Sequence, residues 1–116
     1  MSKINYLKLA KEAAKIADGK KCSAVLLLSM KKFTVIAEYF VIATAESSPQ
    51  RNAVINAVEK HFNESGGPAV LHRDGRSSES WSALDYGGLI IHIMSPEARS
   101  FFCLEKIWDG ARQLEF

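Results

Sequence analysis

Hydrophobic and polar positions alternate along this chain in blocks of changing period, and the changes mark out the elements. Over residues 2–18, Ile4, Tyr6, Leu7, Leu9, Ala10, Ala13, Ala14, Ile16 and Ala17 cover one wide arc. Lys8, Lys11, Glu12, Lys15 and Asp18 fill the opposite arc, so the stretch reads as an amphipathic helix. Ser2 is placed to cap its start and Gly19 to stop it. Residues 24–30, AVLLLSM, are a short continuous apolar run, too short for a core helix and suited to a central strand. Lys31 and Lys32 break it, and residues 33–36 fit either a helical turn or an extended approach to the next strand. That second strand is 38–45, EYFVIATA, rich in aromatic and β-branched residues, with Glu38 as a solvated carboxylate at its start.

The clearest helix start is Glu46-Ser47-Ser48-Pro49, with Ser48 as N-cap and Pro49 in the first turn, where a missing N–H costs nothing. This helix runs to about Asn63, with Ala53, Val54, Ala57, Val58, His61 and Phe62 as its buried stripe. Gln50, Arg51, Glu59 and Lys60 face outward or flank it. Ser65-Gly66-Gly67-Pro68 stops it, 69–72 makes a short third strand, and 73–80 a polar loop. Trp81 to Met94, WSALDYGGLIIHIM, then reads as two strands joined at Asp85-Tyr86-Gly87-Gly88, with the glycines supplying positive φ at the turn. Leu89, Ile91 and Ile93 share one face of its second strand, and Ile90, His92 and Met94 the other. With both faces largely apolar, this strand belongs in the sheet interior, and Asp85 and Tyr86 stand at the tip of a rigid element.

Ser95-Pro96 repeats the cap-and-proline start. Ala98, Phe101, Phe102, Leu104, Ile107 and Trp108 give a third helical segment with a broad apolar face, breaking near Cys103 and ended by Gly110, after which 111–116 fray. The order α-β-β-α-β-β-β-α predicts a single α/β (α+β) domain over 1–116, one mixed sheet of about five strands flanked by helices.

Composition narrows the function classes. At 116 residues, 47% hydrophobic and 24% charged, the chain is ordinary globular material able to bury a core without disulfides. Its two cysteines, Cys22 and Cys103, lie in apolar patterns and read as buried free thiols of a reducing cytoplasm. A formal net charge of +2 does not supply the clustered basic face of direct nucleic-acid binding. No signal peptide and no membrane-spanning run is recognisable, so the expected location is the cytoplasm.

Tests for catalytic chemistry are mostly negative. No serine stands in a G-x-S-x-G setting, and no two histidines among His61, His72 and His92 are spaced to ligate a metal from one helix face. His92, inside a strand, reads as a hydrogen-bonded structural histidine. Asp85 lacks a second carboxylate two residues away, so the aspartate pair of a two-metal phosphoryl-transfer site is missing. The serines before Pro49 lack the glycine spacing of a phosphate loop. What remains is Trp81 and Tyr86 beside Glu79 and Asp85: aromatic area with adjacent acids, the make-up of an interface for a basic protein partner. Trp81 fits a core role equally well.

Three ordered stretches carry a resemblance. FVIATAESSPQRNAVINAV, led by Glu38, resembles the first signature of the ribosomal silencing factor (Iojap-like) family. The family usually has aspartate in place of Glu38 and glycine in place of Ala45. Asp74-Gly75, Trp81, Asp85-Tyr86-Gly87-Gly88 and Ile90-Ile91-His92 resemble its second signature, with Gly88 standing for a family aspartate. Arg99, Phe101-Phe102, Leu104-Glu105 and Ile107-Trp108 resemble the third. The resemblance implies a fold like that of nucleotidyltransferases without their catalytic carboxylates, and no cofactor or metal. It implies binding to the large ribosomal subunit at its universal protein number fourteen, on the face that meets the small subunit. Subunit joining would then be blocked and translation lowered when nutrients are short. It further implies Trp81, Asp85, Tyr86, Arg99 and Glu105 as partner contacts, and a tendency to homodimerise. The alternative is a small nucleotide-binding or nucleotidyl-transferring enzyme of related fold, which predicts saturable nucleotide binding with magnesium. Direct RNA binding is a third possibility, weakened by the near-neutral charge.

Overall fold

The computed structural model describes residues 4–30, 37–74, 80–103 and 111–116. Helix α1 spans Tyr6–Gly19, strand β1 Ser23–Ser29, β2 Tyr39–Thr44, helix α2 Ser48–Glu64, β3 His72–Asp74, β4 Trp81–Asp85, β5 Leu89–Met94, helix α3 Pro96–Phe102 and β6 Arg112–Leu114. The strands form one six-stranded sheet in the order β3-β4-β5-β2-β1-β6. At its centre β2 and β5 run parallel, Tyr39 opposite Leu89 through Thr44 opposite Met94. The other pairings are antiparallel. The α+β class and the mixed sheet are as read from the sequence. The sixth strand is β6, formed where fraying was expected: Leu27, Leu28 and Ser29 of β1 pair with Leu114, Gln113 and Arg112.

Alternation in the central strands divides the core into two layers. Tyr39, Val41 and Ala43 of β2 and Leu89, Ile91 and Ile93 of β5 face the layer under α1 and α2. Phe40, Ile42 and Met94 face the opposite layer, where α3 packs through Ala98. The alanines of α1 are why the first layer closes: Ala10, Ala13 and Ala14 are fully buried, and side chains this small let the helix lie close to the sheet.

Local chemistry shifts several expected boundaries. Asn5 caps α1, its side-chain oxygen accepting from the Lys8 N–H at 3.1 Å, and Ser2 lies outside the described residues. Gly19 falls inside the last turn, and Lys20 closes it by donating to the Ile16 and Ala17 carbonyls. Ser47, not Ser48, caps α2, accepting from the Gln50 N–H at 3.2 Å. The buried stripe of α2 is Arg51, Val54, Ile55, Val58 and Phe62, whereas Ala53 is exposed. Arg51, expected outside or flanking, is 2% exposed, and its guanidinium donates to Ser48 Oγ at 3.0 Å. The third strand, expected at 69–72, sits at His72–Asp74, reaching two residues into the expected loop, as an exposed three-residue edge. Helix α3 ends where the sequence breaks it: Cys103 takes a left-handed conformation at φ 47° and is half-buried rather than core.

Candidate protein-binding face

Strand β4 places the site. Ser82 and Leu84 point into the layer under the helices, so Trp81, Ala83 and Asp85 line the other side of the sheet. Pairing extends that side in rows: Asp74 stands opposite Ala83, and Ala83 opposite His92. Trp81 stands opposite Met94, and Asp85 opposite Ile90. Trp81, half-buried, is thus neither wholly core nor wholly free. It closes one side of a cleft of about 280 Å³ shared with Asp74, Ala83 and His92.

Under the indole lies His92. Trp81 Nε1 donates to His92 Nδ1 at 3.1 Å, which fixes Nε2 as the protonated nitrogen of a neutral ring. Phe40 meets the same imidazole edge-on, with ring centroids 4.8 Å apart. Burial pushes the imidazole down to about 4, because an ion here would be stripped of water with nothing to replace it. The reading of His92 as a hydrogen-bonded structural histidine holds for Nδ1. Nε2 is buried and has no hydrogen-bond partner among the described residues.

The hairpin turn sorts the remaining candidates. Asp85 Oδ1 accepts from the Gly87 N–H at 2.8 Å, and Gly87 takes φ +96°. Gly88 does not have positive φ; it is small for another reason, since a Cβ there would run into the ring of Tyr6. Asp85 therefore both shapes the turn and leaves a half-exposed carboxylate at the rim of the Trp81 face. Tyr86 does not join it. The chain turns inward after Asp85, and Tyr86 is 2% exposed, packed edge-on against Phe62 at 4.9 Å. Desolvation, with Glu59 adding to it and Arg73 opposing, pushes its hydroxyl up to about 12. Its expected place at an exposed tip is thus corrected: it belongs to the core between hairpin and α2.

Arg99 is also drawn inward. It is 8% exposed, and its guanidinium donates to Thr44 Oγ1 at 3.0 Å, tying α3 to the end of β2. Glu105 lies outside the described residues. The structure thus brings Trp81 and Asp85 onto one face and adds Asp74 and His92, which sequence reading did not assign to it. Asp74 was legible as a polar-loop residue and as part of the second signature but not as a member of this face, because its place here depends on pairing with β4. Phe101, expected in the apolar face of α3, is instead 81% exposed on the helix that packs at the Met94 end of this layer. Among the described residues no three of His, Cys, Asp and Glu stand close enough to hold a metal ion, and no helix is long and apolar enough to cross a membrane.

Similar proteins agree on one family. The family model described as "Ribosomal silencing factor during starvation" matches residues 3–116. A "Ribosomal silencing factor RsfS" of Halalkalibacterium halodurans is 30% identical, covering 99% of this chain and 95% of its own. A crystal structure of a Chromobacterium violaceum protein superposes with a TM-score of 0.83 at 25% identity, over 95% of this chain and 90% of that one. A mouse protein named "Mitochondrial assembly of ribosomal large subunit protein 1" is 32% identical over 61% of this chain and 32% of its own length.

Proposed function

Because this chain belongs to the ribosomal silencing factor family, we propose that it binds the large ribosomal subunit and keeps the small subunit from joining, lowering translation under starvation. In this reading the protein acts by occupying a surface and not as an enzyme, and the contact is the universal large-subunit protein number fourteen. The observation that carries the docking surface is the grouping on one sheet face of a half-exposed tryptophan with two carboxylates, Asp74 and Asp85. A large ring beside an apolar cleft supplies area to bury, and acids at the rim select a basic protein surface and repel nucleic-acid phosphates. The mouse relative's printed name, which speaks of the large subunit, points to the same half of the ribosome.

The test is sedimentation of the purified protein with isolated large and small subunits, followed by a joining assay. Co-migration with large subunits alone, together with fewer joined ribosomes, is the expected result. Absence of co-migration at low salt removes the reading.

A further inference from the structure

We propose that His92 is a recognition group of the Trp81 face: its Nε2–H is held for a carbonyl oxygen of the docked protein, with the indole of Trp81 fixing the ring through Nδ1. The inference rests on the reading that this face docks a protein of the large subunit, and it adds the chemistry of the contact.

Three observations lead to it. First, His92 is 8% exposed, and its Nε2 is a buried side-chain nitrogen without an acceptor among the described residues. Buried polar groups are almost always paired, so a lone donor calls for an explanation outside the free fold. The Phe40 ring, edge-on at 4.8 Å, is at best a weak acceptor. Second, the tautomer is locked. Trp81 Nε1–H occupies Nδ1, so the proton sits on Nε2 and the ring presents a donor there. Third, the surroundings choose the acceptor. Asp74 and Asp85 flank the cleft, and a carboxylate or phosphate brought beside them would meet like charge. A neutral carbonyl, from the backbone or an amide side chain, meets none.

The burial of this donor also has a role. In the free protein Nε2 is shut away from water, so the donor stays unsolvated. Side-chain rotations at an interface commonly accompany docking, and one that turns the Trp81 and His92 rings together keeps the Nε1–Nδ1 bond while bringing Nε2 to the partner. The partner then gains a hydrogen bond without stripping water from the donor first. A surface lacking an acceptor at that point gains nothing from turning the rings, which makes His92 a discriminating group and not a general adhesive one.

The experiment compares wild type, His92→Phe, His92→Asn and His92→Gln for co-sedimentation with purified large subunits, with a thermal melt of each. Asn reproduces a polar atom near Nδ1, whereas Gln carries an N–H to the position of Nε2. The expected order is that Gln retains most of the affinity, while Asn and Phe lose about tenfold or more. A melt that does not follow this order separates recognition from folding. Binding by the Phe or Asn variant at wild-type strength overturns the inference, as does Asn binding better than Gln, which would mean that His92 only seats Trp81. If wild type itself stays off the large subunit, the functional reading fails first and takes this one with it. If Phe does not fold, the Asn and Gln pair decides.

Discussion

The ring of Tyr6, the first residue of α1, occupies the space where a side chain on Gly88 would begin. A Cβ built there would stand 2.6 Å from Cε2 and 2.7 Å from Cγ of that ring. The same glycine's carbonyl accepts from the Glu38 and Tyr39 N–H groups at 2.8 and 3.0 Å, so the backbone has little room to retreat. Gly88→Asp, which would restore the residue usual in the family, is therefore expected to destabilise the fold by about 1–3 kcal/mol. In denaturant melts the loss should shrink when Tyr6→Ala is combined with it. Additive losses would mean that the two sites are independent.

Trp81 and Asp85 separate area from charge. Trp81→Ala should weaken binding to large subunits by about 2 kcal/mol or more while leaving a folded protein. Asp85→Asn keeps an oxygen for the Gly87 N–H and removes only the charge. It should leave stability unchanged, weaken binding by about 1 kcal/mol or less and flatten its salt dependence. Asp85→Lys removes the turn acceptor as well, so it should lower both the melting temperature and the affinity.

Tyr86 behaves as core. Tyr86→Ala opens a hole against Phe62 and should cost roughly 3–5 kcal/mol in unfolding free energy. Tyr86→Phe should bind large subunits as wild type does. A binding defect in a well-folded Tyr86→Phe variant would return the hydroxyl to the interface.

His92 gives the fold an acid sensitivity whose sign follows from its neutral burial. Unfolded, the imidazole takes up a proton near its ordinary 6.5, whereas in the fold it resists until about 4. Above the upper value both states are neutral and pH has no effect through this group. As pH falls between the two values the unfolded chain alone is protonated, so stability is lost progressively, by about 3 kcal/mol at most. His92→Phe lacks this component. The difference between the two melts as a function of pH isolates it from the carboxylates, and a constant difference from pH 7 to pH 4 would refute it.

The strong periodic segments were readable from sequence, and the reasons for the misses are particular. The apolar runs of β2 and β5 announce themselves because burial on both sides leaves few polar positions to confuse the period, while β1, exposed at its start, shows through its unbroken leucines and α1 through the helical spacing of its buried alanines. β6 and β3 escape because three-residue strands of mostly polar residues owe their conformation to a partner strand and not to their own pattern. Arg51 lies on the stripe with Val54, Ile55, Val58 and Phe62. Spacing alone would have placed it inside, but its charge argued otherwise, and the Ser48 hydroxyl helps to make burial tolerable. Tyr86 was misplaced because a residue beside two glycines looks exposed, whereas this turn directs its ring toward α2. At the site, Trp81 and Asp85 were legible from composition near a turn. His92's free donor was not, since which nitrogen is occupied depends on a contact between two strands.

The parallel seam between β2 and β5 has a consequence for how the molecule is born. Its two strands come from opposite halves of the chain, and neither layer of the core closes until Leu89–Met94 lies beside Tyr39–Thr44. During synthesis α1, β1 and β2 emerge as a helix packed on one face of a strand pair, with the opposite face and the β5 edge of β2 still uncovered. Loop closure then has to span the whole of α2, β3 and β4, so non-local pairing rather than helix formation sets the folding rate. The nascent chain accordingly reaches its native state only after its last third has left the exit tunnel.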